Sequence, residues 1–304
     1  MTSSSEPYRI GFDIGGTKSH AVALDSSGRV RGEIITPTLR GKDALLESIL
    51  DTFTQLRSNL RPDDEIVSLG IAIPGRIDPL RGVVRDALNL GLSEWWIADD
   101  VERNTGLRPH VNNDVNAAAL GAKHLLGIKR SMAYLNLGTG VAAGFVIGET
   151  SRSGVAGAAG EIGHIPIDPT GPLCDCGQTG CIEAFAGGRA LSRMVTNELY
   201  PLQTLLRRAA EGDLSAQQDI RNFVTAVVAA IRVIALTVDV DHVVVGGGNA
   251  SLGEVITRPI LTELRRLEKA SEFIASLGLP ERLIFIDDSL PAPAVGATLL
   301  RTEP

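Results

Sequence analysis

The chain has 304 residues, enough for two average domains, with 44% hydrophobic and only 4% aromatic residues. Its net charge is −7 with no dense Lys/Arg run, which argues against a nucleic-acid or anionic-membrane surface. Three cysteines fit a disulfide framework poorly and a metal site in a reducing compartment well.

Residues 1–7 are polar and lack the basic start and apolar core of a signal peptide, so a cytoplasmic location is expected. Tyr8–Ile14, Ser19–Asp25 and a third run after SSGRV read as strands joined by turns. In the first turn, Asp13-Ile14-Gly15-Gly16-Thr17-Lys18, two glycines let backbone amides approach phosphate oxygens. Thr17 and Lys18 add donors, and Asp13 at the strand end can hold a hydrated magnesium ion. Taken alone, the turn reads as well as a Gly-Gly hairpin with no ligand.

Asp43–Leu56 has helical apolar spacing, and Ile66–Ile73 reads as a buried strand that runs into the Pro-Gly turn at Pro74–Asp78. The pair Trp95-Trp96 reads as core or lid packing. A short strand then leads into Val111–Gly121 (VNNDVNAAALG), the start of an alanine-rich helix. Asn113 and Asp114 suit its N-cap, the stronger reading on this fragment alone. The other reading points the Asp114 carboxylate into a cleft, where it accepts a proton from a hydroxyl.

Ala133–Gly148 repeats the pattern of strand, glycine turn (Gly138-Thr139-Gly140) and strand. Laid over the first hairpin, it sets Asn136 against Asp13 and Gly138 against Gly15. A duplicated fold with a phosphate loop from each half, and chance similarity of two turns, stand level here.

Every cysteine lies between Gly157 and Glu183: Cys174, Cys176 and Cys181, with His164 upstream. Three Cys and one His make a closed tetrahedral zinc set; buried or redox thiols are the alternative, and the clustering counts against them. Glu161 and Glu183 flank the cluster, so the same knot would bring two carboxylates together at a site for something rich in hydroxyls. An inert zinc ribbon is the competing reading.

Helices are expected at 187–198, 203–210 and 216–238. The apolar window 223–240 is broken by Thr225, Arg232 and Asp239, which reads as a buried helix rather than a membrane span. A strand at 241–245 ends in Gly246-Gly247-Gly248-Asn249 before a helix at 254–267, the pattern that lays a nucleotide against backbone. Ser251 stands where a dinucleotide fingerprint has its third glycine. A last strand, 282–287, and a helix at 292–300 that packs back on the first domain close the chain.

The stretches DIGGTK (Asp13–Lys18), IPGRID (Ile73–Asp78), NNDVNAAALG (Asn112–Gly121), LGTG (Leu137–Gly140), GEIGH (Gly160–His164), CDCGQTGCIE (Cys174–Glu183) and VVVGGG (Val243–Gly248) resemble, in this order, the ROK family of sugar kinases and repressors. The resemblance covers nearly the whole chain. It implies an α/β fold of the actin/hexokinase-like ATPase type, with two RNase-H-like domains around a cleft. The N-terminal domain would be 1–117, completed by a C-terminal helix at about 291–304, and the zinc-bearing domain 118–290. The implied activity is ATP-dependent phosphorylation of a hexose, glucose at O6, by a cytoplasmic homodimer without nucleic-acid or membrane partners. The helix-turn-helix of the repressor branch is not expected here, since Asp13 comes too early to leave room for it.

Matched position by position, Asp114 falls on the family's catalytic base. Gly75, Asn113, Asp114, Glu161, His164 and Glu183 fall on its sugar ligands, and His164, Cys174, Cys176 and Cys181 on its zinc ligands. Asp13, Gly15, Gly16, Thr17 and Lys18, with Gly138, Thr139 and Gly140 and with Gly246, Gly247 and Gly248, fall where ATP and Mg2+ bind. His164 then has two jobs, with one ring nitrogen on the metal and the other on a hydroxyl. The second turn is poorer in glycine than is usual, and Ala142 and Ala143 would crowd a phosphate. An N-acetylmannosamine or N-acetylglucosamine kinase, a polyphosphate donor and a non-catalytic sugar sensor are the alternatives. Asp114 and the intact first loop favour an enzyme.

Overall fold

The Gly-Gly turn folds β1 (Pro7–Ile14) back onto β2 (Lys18–Leu24), with Asp13 paired to His20, and β3 (Val30–Pro37) extends the meander. The computed structural model describes residues 6–287 and 289–301, so most of the polar start and the last three positions of the expected closing helix lie outside the described residues. α1 (Lys42–Ser58) buries Leu45, Ile49 and Leu56 in one core with Ile10, Phe12 and Ile14 of β1. Full burial of each such side chain is worth roughly 1.5–3 kcal/mol. β4 (Glu65–Ala72) then pairs in parallel with β1.

Between Arg76 and Trp95, where only a turn was expected, the chain builds a separate three-stranded sheet: β5 (Arg76–Asp78), β6 (Val83–Ala87) and β7 (Leu92–Trp95). These strands are three to five residues long, too short to carry a readable period. Trp95 is buried and its indole Nε1 donates to Asp100 Oδ2 at 2.8 Å in α2 (Ile97–Thr105), whereas Trp96 is exposed. β8 (His110–Asn112) joins in parallel to β4, giving the order β3-β2-β1-β4-β8, and α3 (Asp114–Leu125) follows directly.

A second five-stranded sheet is built from β9 (Met132–Leu137), β10 (Val141–Ile147), β11 (Thr150–Ser151), β12 (His242–Gly246) and β13 (Leu283–Phe285), in the order β11-β10-β9-β12-β13. As β4 lies parallel to β1 and β8 to β4, so β12 lies parallel to β9 and β13 to β12. The two orders match strand for strand. Two similar turns can arise by chance, but two sheets with the same order cannot readily do so, and the fold is duplicated.

The helices of the second half are α4 (Ile182–Ala186), α5 (Gly188–Met194), α6 (Pro201–Ala210), α7 (Leu214–Thr237), α8 (Glu254–Ala270), α9 (Glu272–Ser276) and α10 (Leu279–Arg282). The helix expected over 187–198 stops at Met194, because Val195 is extended and Asn197 takes a left-handed φ of 61°. α7 is long and apolar enough to cross a membrane by length and composition. Phe223, Val227, Ile231 and Ile234 are nevertheless buried, as a core helix requires.

The chain divides into two units, one made of the described residues up to Lys129 with Gly144–Ala158 and those from Pro291, the other of Arg130–Ala143 and Ala159–Leu290. α3 lies whole in the first unit, so a break after residue 117 would fall inside one continuous helix. In that unit α11 (Ala292–Ala297) packs on α3 so closely that a Cβ at Gly296 would overlap the Ala117 carbonyl.

Candidate active site

In the first unit, the β1–β2 turn is closed by Gly15 N–H donating to Lys18 O at 3.0 Å. A Cβ at Gly16 would sit 3.2 Å from Asn89 Nδ2, so that amide lies over the turn. Asp13 precedes the turn. Its burial, and next the charge of Asp114, push its carboxyl up to about 7, against the pull of Lys18. A hard divalent cation fits such a place, because it stabilises the carboxylate that burial disfavours.

Asp114 opens α3. Asn113 is the N-cap, its Oδ1 accepting from Val115 N–H at 2.9 Å, and Asp114 Oδ1 accepts from the same N–H at 3.0 Å. Asn113 therefore caps the helix, as the local reading expected, and Asp114, the first residue of α3, lies close enough to Asp13 to raise its pKa. Asn113 Nδ2 donates to Gly75 O at 3.3 Å, joining the Pro-Gly turn to the helix start. Gly75 has φ 109°, and a Cβ there would lie 2.6 Å from Arg85 O, so only glycine fits. Beside it, Arg76, Ile77, Arg81 and Arg85 line a hollow of about 730 Å3 with residues 154–157. Behind the helix start, Asn112 Oδ1 accepts from Asn113 N–H at 2.8 Å and from Asn116 Nδ2 at 3.1 Å. Asn112 and Asn116 also bond Ser153, all of them buried, and the sequence reading missed this role because nothing local marks it.

In the second unit, Gly138-Thr139-Gly140 closes with Gly138 N–H donating to Gly140 O at 3.1 Å. The N–H groups of Thr139 and Gly140 have no acceptor among the described residues, which leaves them for an anion. Ala143 donates to Gly160 O at 2.8 Å, so its backbone braces the segment that leads to Glu161. The third glycine stretch lies against this turn: Asn249 N–H donates to Leu137 O at 2.9 Å and Asn249 Nδ2 to Gly138 O at 3.3 Å. Next to it, Leu199, Tyr200, Pro201, Gly248, Asn249 and Ser251 line a hollow of about 370 Å3. Leu199 and Tyr200 were not expected to take part; two exposed apolar residues in a row ahead of Pro201 are the signal.

His164, Cys174, Cys176 and Cys181 converge, with all four ligand atoms within 4.8 Å of one another. Cys174 Sγ is 3.7 Å from His164 Nδ1, and Cys176 Sγ is 3.7 Å from Cys181 Sγ. Ligands held tetrahedrally at zinc distances stand about 3.6–3.8 Å apart, so the set fits zinc. Burial pushes the Cys181 thiol up to about 12 and raises that of Cys174, while the Gln178 amides hold Cys176 down at about 6. A dication would supply the charge that keeps the buried pair as thiolates.

With His164 Nδ1 turned to the sulfurs, Nε2 faces Glu161 Oε2 at 3.8 Å. Burial raises the Glu161 pKa, His164 opposes the shift and Glu183 adds to it, so the two flanking carboxylates are neighbours as expected. Glu183 Oε2 also accepts from Val141 N–H at 2.8 Å, a tie to the second glycine turn that the motif did not announce.

A model of the ROK family matches residues 9–275. The chain is 31% identical to a glucokinase of Halalkalibacterium halodurans over 90% of this chain and 92% of that protein. It is 35% identical to an N-acetylmannosamine kinase of Escherichia coli over 78% of this chain and 82% of that protein. A solved structure of a Streptomyces griseus ROK glucokinase with glucose and AMPPNP superposes with a TM-score of 0.71 at 30% identity, covering 96% of this chain and 98% of that one.

Proposed function

The chain belongs to the ROK family and is a sugar kinase, and on that premise we propose that it transfers the terminal phosphoryl group of ATP to O6 of glucose with Asp114 as general base. What supports this reading is that Asp114, at the start of α3, lies near enough to Asp13 for its charge to raise the Asp13 pKa, so that a proton acceptor and a magnesium ligand could work side by side.

In the proposed reaction the O6 proton passes to Asp114 as a bond forms between O6 and the γ-phosphorus. The bridging oxygen of the β-phosphate leaves with the electron pair, giving ADP. Gly15, Gly16, Thr17 and Lys18 donate to phosphate oxygens from one turn, and Thr139 and Gly140 from the other. Asp13 would hold magnesium, which when bound neutralises developing phosphate charge. The adenosine would occupy the hollow beside Gly246–Gly248, where Tyr200 offers a ring to the base. Gly75 and Asn113 bind hydroxyls in the first unit, and Glu161, His164 and Glu183 in the second. His164, Cys174, Cys176 and Cys181 would hold zinc, whose role is to fix the tautomer and direction of the His164 ring.

N-acetylmannosamine is the second reading. Two observations favour it: the identity to a kinase of that name, and the hollow beside Gly75, which has room for an acetamido group. A coupled assay of ADP release over a panel of sugars, with ATP and with polyphosphate, tests both. No turnover with any hexose or acetamido-hexose would overturn the function.

A further inference from the structure

The loop between the first two metal-cluster cysteines carries Asp175, and its carboxylate points away from them. Asp175 Oδ1 accepts from Arg193 Nη1 at 2.7 Å and Oδ2 from Arg189 Nη1 at 3.2 Å. Both arginines stand one turn apart on α5, so a single carboxylate grips one face of that helix.

The N-terminus of α5 is clasped to the second glycine turn. Gly188 N–H donates to Gly138 O at 2.9 Å and Arg189 N–H to Thr139 O at 3.0 Å. A Cβ at Gly188 would lie 2.9 Å from Gly138 O, so the approach is backbone on backbone. Arg189 therefore belongs to both contacts, its side chain on Asp175 and its amide on Thr139. Two carbonyls of the turn are thus committed to α5 and Val141 N–H to Glu183, while the N–H groups of Thr139 and Gly140 have no acceptor among the described residues.

We propose that Asp175, through Arg189 and Arg193, is a positioning residue for the Gly138–Gly140 turn and so sets the affinity for the phosphates of ATP. The inference rests on reading that turn as a phosphate loop. It assigns the cysteine knot a second task, since the same loop that presents the metal ligands also seats the helix under the nucleotide turn.

The sign of the effect separates this from bare electrostatics. Removing a negative charge near the turn, and releasing two guanidinium groups, would by Coulomb attraction tighten the binding of a polyanion. A positioning role predicts the opposite. The ion pairs are partly exposed, so the effect is modest and is screened by salt.

The test is calorimetric titration of full-length wild type, Asp175→Asn, Arg189→Gln and their double variant with magnesium–AMPPNP and, separately, with glucose and N-acetylmannosamine. Gly140→Ala serves as control, because its Cβ would run into the Glu183 carboxylate and disturb the turn directly. Asp175→Asn should weaken AMPPNP about three- to tenfold, with sugar affinity and metal content unchanged. The double variant should lose no more than Asp175→Asn alone, and Arg189→Gln less, because Arg193 still pairs with Asp175 there; Asp175→Glu should recover part of the loss, and the gap to wild type should narrow in high salt. Unchanged or tighter AMPPNP binding in Asp175→Asn, while Gly140→Ala binds weakly, overturns the positioning role and leaves the phosphate loop standing. Equal losses for nucleotide and sugar overturn it too, as general loosening. Gly140→Ala indistinguishable from wild type, or a wild type that does not bind AMPPNP, overturns the loop assignment and the inference with it.

Discussion

The carboxyl of half-buried Asp13 lies within electrostatic reach of Asp114, and desolvation and that charge together push it up to about 7. A carboxyl with a raised folded-state pKa keeps its proton where the unfolded chain has lost it. Its favourable contribution is therefore full below pH 4 and is lost as pH rises through 7. The melting temperature of metal-free protein should fall between pH 5 and pH 8, by about 2–4 °C for each kcal/mol involved. Asp13→Asn should lack that component, and magnesium should restore the wild type at pH 8 by preferring the ionised carboxylate. Superimposable melting curves for wild type and Asp13→Asn across this range would refute the coupling.

Asp114→Asn should lower kcat by a factor on the order of 10²–10⁴ and leave sugar affinity nearly unchanged. The amide keeps the size and one acceptor, so the N-terminus of α3 still has the Asn113 cap. Initial rates beside a sugar titration check this. More than about a tenth of the wild-type kcat in the variant would leave Asp114 a helix-capping residue only.

Protein prepared without chelators should contain one zinc per chain, measured by elemental analysis. Cys176→Ser should lower that content and the melting temperature together. Apparent binding energies of structural zinc run to about 10–16 kcal/mol in small domains, so loss should unfold at least the 164–181 segment. Full stability in metal-stripped protein would show that hydrogen bonds such as Cys174 N–H to Gln178 O suffice to hold the knot.

Glucose should have a higher kcat/KM than N-acetylmannosamine or N-acetylglucosamine. In the proposed site Glu161, His164 and Glu183, which are neighbours, would offer a sugar groups that pair with a free hydroxyl, and a site built for a hydroxyl discriminates against an analogue that leaves them unpaired. The hollow beside Gly75 works the other way. A preference of more than about tenfold for either acetamido sugar, roughly 1.4 kcal/mol in transition-state binding, would make that hollow part of the sugar site.

Much of this was legible along the chain because it depends on near neighbours. The β1–β2 turn favours glycine at Gly15 for a local reason, since a Cβ there would lie 2.8 Å from Lys18 O, and an Asn-Asp pair ahead of an alanine run starts a helix by local capping. The metal set also follows from spacing, since Cys174, Cys176 and Cys181 lie within eight residues and the turns between them are short. The β5–β6–β7 sheet was not legible, because strands this short take their shape from what they pack on. Nor was the division of helices after Ala186.

The sequence by itself determined the residue types that chemistry requires and the turns that display them, because each is set by backbone geometry over a few positions. Only the tertiary structure decided that the two hairpins are halves of a repeated sheet, since strand order is a property of pairings far apart in the chain. Only it decided that Asp114 charges the surroundings of Asp13, about a hundred residues away, and that Glu183 and Asp175 reach the Gly138–Gly140 turn from either side of Cys181. Such contacts depend on which side chains the packed elements bring within a few ångströms, and no local pattern records that distance.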